Sequence, residues 1–141
     1  MLYRPIRMGL DVVNGLFGNI HLNWSGTRWF AEWCSKQGLP NPFIGWESGG
    51  NDGDPCDLAA NATHISTAKR WCEALEKIHP DLAALGKTLL ENPPADLNLY
   101  LYPHRSDGKH LSEDEWSRRA VAAWYAILRH GMESGDTLQY C

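Results

Sequence analysis

Polarity alternates along the first part of the chain. From Asn19 to Trp24, apolar Ile20, Leu22 and Trp24 interleave with polar Asn19, His21 and Asn23, which places the two sets on opposite faces of a strand. Gly9 to Val13 reads as its partner, and the Asn14-Gly15 dipeptide between them suits a tight hairpin. One sheet face is expected to be buried and the other polar. The period then changes. Ser25 stands where an N-cap belongs, and Trp29, Phe30, Trp33 and Cys34 make one apolar stripe on a helix from about Gly26 to Gln37. Gly38, with Pro40 and Pro42 beyond it, stops that helix.

A long connection runs from Leu39 to about Ala62. The clearest amphipathic pattern follows, a helix opening near Ser66 with Ala68, Trp71, Cys72, Leu75 and Ile78 on one face. Lys69, Arg70, Glu73, Glu76 and Lys77 lie on the other. His79-Pro80 breaks it, because proline lacks a backbone donor and restricts its predecessor. Leu82, Leu85, Leu89 and Leu90 restart a helix that ends at Pro93-Pro94. Leu97 to Tyr102 alternates again and predicts a strand, with Tyr100 and Tyr102 together on its outward face. After a turn at Ser106-Asp107-Gly108, Ser112 and Glu115 form a capping box for the last helix. Trp116, Ala120, Ala123, Trp124, Ile127 and Leu128 share its stripe, it ends near Gly131, and residues 137–141 add a terminal strand.

Alternation in the strands, rather than continuous apolar runs, favours a sheet with one covered face. The expected fold class is α+β: a two-layer sandwich, a small mainly antiparallel sheet with three to four helices packed on one face. At 141 residues the chain reads as a single domain, residues 1–141. Of the seven tryptophans, Trp24, Trp29, Trp33, Trp71 and Trp124 are the expected large contributors to the core.

Charge narrows the partners. A formal net charge of −4 argues against non-specific nucleic-acid binding, which needs a basic footprint. No stretch approaches the roughly 18 to 20 apolar residues of a membrane helix, and the N-terminus lacks the apolar run of a secretory signal. Cys34, Cys56, Cys72 and Cys141 form no CxxC pair, which points to reduced thiols and a cytoplasmic protein. The segment from Trp46 to Leu58, WESGGNDGDPCDL, carries Glu47, Asp52, Asp54 and Asp57 and no base. Its glycines and proline keep it out of regular structure. An acidic loop beside Trp46 has the makings of a binding anchor with a charged rim, so these five residues are the candidate partner-binding set. The matching partner is a protein with a basic surface.

Catalytic and metal chemistry is weakly signalled. Asp52 and Asp54 are calcium-type ligands two apart, but Cys56 takes the third alternate position and the distal Glu is missing. The six histidines show no HxxxH or HExxH spacing, and Cys56 with His64 makes only half a zinc site. Ser25 lies between strand and helix as a nucleophile elbow does, yet NWSGT lacks the first glycine of GxSxG. Cys56 with His64 as base is the remaining nucleophile pair, although Asp54 and Asp57 would oppose a thiolate. No phosphate-binding glycine motif occurs, and no catalytic residue, metal or cofactor is assigned.

The parts Asn19–Trp33, Asn51-Asp52-Gly53, Ala68–Ile78 and Tyr125–Gly131 with Thr137–Cys141 together resemble small bacterial α+β proteins of the immunity-protein or phage–host conflict type. That resemblance implies a non-enzymatic cytoplasmic protein that binds and blocks a protein partner such as a toxin. Two alternatives stay open: a small cysteine-dependent hydrolase, and a carbohydrate or small-ligand module using Tyr100 and Tyr102. An uncovered strand edge would also allow a homodimer.

Overall fold

The computed structural model describes residues 9–44, 55–58, 61–103, 107–135 and 137–140, with the backbone alone for residues 24, 55–57, 137 and 139. Strands β1 (Gly9–Asn14) and β2 (Gly18–Asn23) pair antiparallel, with Leu10 opposite Leu22 and Val12 opposite Ile20. These four side chains are buried, whereas Val13 is exposed and Asp11 meets His21 across the other face at 3.0 Å. The hairpin is not the two-residue turn expected at Asn14-Gly15. Asn14 pairs with Gly18, and the Asn14 side chain closes a longer loop by accepting from the Leu16 and Phe17 N–H groups. Gly18 takes a φ of +79°, a conformation that a Cβ disfavours.

Helix α1 (Trp24–Lys36) starts at the end of β2, so Asn23 rather than Ser25 is its N-cap. Strand β3 (Pro55–Asp57) lies inside the long connection and pairs with β4 (Thr137–Tyr140). The sheet order is β2-β1-β4-β3, antiparallel throughout its described pairs. Helix α2 (Ala62–Ile78) opens earlier than the Ser66 periodicity suggests, because Asn61 accepts from the Thr63 and His64 N–H groups. Helix α3 (Pro80–Glu91) begins directly at the proline that ends α2. His79 at this corner stacks near Trp33 and reaches the Gln37 side chain at 2.7 Å, tying the corner to α1.

The strand expected over Leu97 to Tyr102 is instead helix α4 (Leu97–Leu101). Leu97 and Leu101 are four apart, so alternation and helical periodicity serve the pair equally. Asp96 decides between them. Its carboxylate accepts from the Asn98 and Leu99 N–H groups, at 2.9 and 3.3 Å, and nucleates the turn. Leu97 and Leu101 are buried, while Leu99 is left exposed. The helix covers the open edge of β2: Asn98 accepts from the His21 N–H and donates to the Asn19 carbonyl, much as a neighbouring strand would. The β2 edge, which if uncovered would have allowed pairing with a second copy, is closed by the chain itself.

Helix α5 (Glu113–Ser134) brings the helices among the described residues to five, above the three to four expected. It runs past Gly131 to an αL Gly135 cap. The expected stripe is also too narrow, for every residue from Ala120 to Leu128 is buried. Helix α1 packs along one flank and α2 with α3 along another, so α5 needs an apolar surface nearly all round. On the α2 side, Tyr125 donates to Glu76 at 2.8 Å, and Arg129 contacts both the Tyr125 hydroxyl and the Glu76 carboxylate. Burial alone would raise the Glu76 carboxyl, but the hydrogen bonds from Tyr125 and Arg129 and the Arg129 charge prevail and hold it below its ordinary value. A carboxyl depressed in the folded state stabilises above its unfolded pKa, and that contribution disappears as pH falls through the folded value. Glu76→Gln is therefore expected to destabilise at neutral pH by on the order of 1 kcal/mol, a low figure because part of the carboxylate meets water. The gap to wild type should close on acidification, read from urea midpoints between neutral and acid pH. A constant gap would contradict the clamp.

Candidate functional site

A recess of about 430 Å³ opens where α1 begins, walled by Trp29, Leu101, Tyr102, Pro103, Leu111 and Trp116, with Asn23, Ser25 and His110 as its polar members. Its size is that of a small-ligand pocket. Three separate segments build it. Asn23 ends β2 and caps α1, its side-chain oxygen accepting the Gly26 N–H at 2.6 Å. Trp116 enters from the first turn of α5, fixed by the Ser112 cap on the Glu115 N–H. The chain leaving α4 supplies Leu101 and Tyr102, and the Tyr102 hydroxyl accepts the Asn23 N–H at 3.1 Å.

Trp116 is the hinge of the arrangement. It meets Trp29 edge-on, with ring centroids 6.2 Å apart, and lies tilted against Tyr102 at 6.0 Å. A Cβ on Gly26 would stand 2.6 Å from two carbons of the Trp116 ring. Only glycine lets the indole lie against the first turn of α1. Trp116 is 3% exposed, and its indole N–H has no hydrogen-bond partner among the described residues. Burial raises the Tyr102 hydroxyl above its ordinary pKa and prevails over the Asn23 N–H bond and the neighbouring Trp116 indole, both of which favour the ionised form. A second, wider recess of about 470 Å³ lies past Ser25, lined by Thr27, Arg28, Ala31 and Phe43.

Of the five residues singled out in the acidic loop, Asp57 alone falls among the described residues. Trp46, Glu47, Asp52 and Asp54 lie outside the described residues, as does the Asn51-Asp52-Gly53 tripeptide. Asp57 is placed by its backbone at the end of β3, opposite Thr137. The approach to the loop is firmly held: the Trp124 indole donates to the Pro42 carbonyl and the Tyr140 hydroxyl to the Ile44 carbonyl, each at 2.8 Å and buried. The far end is held by pairing of β3 with β4.

The shared tyrosine platform does not form. On a helix, Tyr100 and Tyr102 project about 200° apart. Tyr100 lies beneath the Arg119 guanidinium, 5.0 Å from ring centroid to charge, while Tyr102 turns into the recess. Cys34 and Cys72 are buried thiols, and burial pushes both up to about 12, far from a reactive thiolate. Cys56 takes a β3 position opposite Leu138, and His64 sits in the first turn of α2. No cluster of three or more metal-ligating side chains occurs among the described residues, and no described helix is long and apolar enough to cross a membrane.

Sequence reasoning missed the recess because Trp29 fits a helical stripe and Trp116 a second one. The available signal was Gly26, a poor helix former placed in a first turn, where close approach of another group is the usual reason. No family model, curated protein or solved structure matches the chain.

Proposed function

We propose that this chain is a non-enzymatic binding protein and that it takes a small, largely apolar ligand in the recess between Trp29, Tyr102 and Trp116. One observation carries the reading: the first turn of α1 holds a glycine where a Cβ would collide with Trp116, and the ring so admitted walls a cavity instead of filling it. The walls are mainly aromatic and aliphatic, which suits a planar hydrocarbon body better than the many hydroxyls of a sugar.

The test uses naphthalene derivatives and isothermal calorimetry. About 13 non-hydrogen atoms at roughly 0.5 kcal/mol each correspond to a Kd on the order of 10–100 µM. Trp29→Ala, which removes a wall, should weaken binding at least tenfold, and Leu111→Trp, which fills the space, should abolish it. Equal binding by Leu111→Trp would place the ligand elsewhere.

A second reading keeps the acidic loop as a protein-binding site of the immunity or inhibitor kind, with Trp46 as anchor and Glu47, Asp52, Asp54 and Asp57 steering a basic partner. It is favoured by the anchored ends of the segment, since a loop fixed at Pro42, Ile44 and β3 loses less entropy on binding. Exchanging the four acids for their amides should slow association with a basic partner and flatten its salt dependence; unchanged kinetics would exclude the loop. Cytoplasmic residence belongs to the same reading.

A further inference from the structure

We propose that Asn14 is a deamidation site which the folded hairpin keeps closed, and that a chain which reacts there while unfolded does not regain the hairpin. Asn14-Gly15 is the chain's single Asn-Gly step. With no Cβ on residue 15 to obstruct it, the Gly15 nitrogen can reach the Asn14 Cγ. The N–Cγ bond forms as the Cγ–Nδ2 bond breaks, the Gly15 proton passes through solvent to the departing nitrogen, and ammonia leaves. Water then opens the resulting succinimide. Attack at Cγ gives aspartate, and attack at the backbone carbonyl carbon gives isoaspartate. Overall water is consumed, ammonia is released and a neutral side chain becomes an anion.

In the folded protein the Asn14 amide is fully engaged. Its Oδ1 accepts from the Leu16 and Phe17 N–H groups at 3.1 and 2.7 Å, and its Nδ2 donates to the Val12 and Gly18 carbonyls at 3.3 and 3.0 Å. The residue is 6% exposed. Two donors on Oδ1 would by themselves make Cγ a better electrophile. The nitrogen that must leave, however, is tied to two carbonyls, and pairing of Asn14 with Gly18 fixes the backbone about which the ring would close. Reaction therefore waits for the hairpin to open. The product does not fit back. Aspartate sets an oxygen where Nδ2 stood, acceptor against the Val12 and Gly18 carbonyls in a buried place. Isoaspartate lengthens the main chain by a methylene and breaks the register of the pair. Strand β1 lies between β2 and β4, so the damage falls inside the sheet. Deamidation of the open chain thus makes that unfolding irreversible.

The experiment ages wild type at mildly alkaline pH, folded and in guanidinium chloride, with Gly15→Ala in guanidinium chloride beside it. Mass spectrometry follows the hairpin peptide after chromatography that separates aspartate from isoaspartate. Unfolded wild type should convert Asn14 at least about tenfold faster than folded wild type, because only open chains react. Unfolded Gly15→Ala should react at least about tenfold more slowly than unfolded wild type, since a Cβ obstructs the attack. The aged, unfolded wild type is then diluted from denaturant and its folded fraction collected by size exclusion. Chains with aspartate or isoaspartate at position 14 should be depleted there severalfold against unreacted chains of the same sample. Equal rates for folded and unfolded wild type would overturn the protection, and equal rates for unfolded wild type and Gly15→Ala the route. Reacted chains recovered in their starting proportion would overturn the claim that the hairpin cannot re-form.

Discussion

Trp124→Ala is expected to lower stability by about 4 kcal/mol, within the range for removing a large core aromatic. Trp124 is 1% exposed and stands where three segments of the chain meet. Its ring meets Phe30 at 5.4 Å on α1, Phe43 at 5.6 Å in the connection and Tyr140 at 6.5 Å on β4. Its indole N–H also supplies the bond to the Pro42 carbonyl. The two contributions separate with Trp124→Phe, which keeps much of the apolar contact and removes the indole bond; the Pro42 carbonyl still accepts the Ile44 N–H at 2.9 Å, so the bond's loss costs about 0.5–1.5 kcal/mol. Urea denaturation measures both. A Trp124→Phe protein as stable as wild type would mean that this bond does not hold the start of the acidic segment.

Gly86→Ala should destabilise by about 1–3 kcal/mol, the usual range for overpacking. The sign is the informative part, because alanine in a helix interior is ordinarily favoured over glycine by about 1 kcal/mol. A Cβ at Gly86 would lie 2.6 Å from the Tyr125 ring and 2.9 Å from the Ala122 carbonyl oxygen. The backbone oxygen cannot turn away. The tyrosine ring is also restrained, since its hydroxyl is bound by Glu76 and Arg129 at the far end. Equilibrium unfolding of the variant gives the answer, and a stabilised Gly86→Ala would show that α3 and α5 have room to part.

Much of the architecture was legible along the chain wherever a local pattern had one solution. Ile20 and Leu22 against His21 and Asn23, the Trp71–Cys72–Leu75 face of α2, the proline at Pro80 and the Ser112 cap of α5 all appear as read. The misreadings occur where local patterns had two solutions. Leu97 and Leu101 satisfy a strand and a helix alike, and the Asp96 cap settles it. Ser25 and Asn23 are both competent N-caps, and the length of β2 selects Asn23.

The candidate site was legible only in fragments. Asn23 and Trp29 are remote in sequence from Tyr102 and Trp116, so no spacing rule joins them. Gly26 and Gly86 are informative once Trp116 and Tyr125 are known to stand against them.

Hydrophobic periodicity and capping are properties of a few neighbouring residues, and from them the sequence alone determined the α+β class, the covered sheet face, the end of α2 at Pro80 and the start of α5 at Ser112. Burial on every side of α5, closure of the β2 edge by Asn98 and the recess beside Trp116 depend on surfaces meeting across the fold. Tertiary structure alone decided those, because close packing is set by which side chains approach, and how nearly, after distant segments have come together.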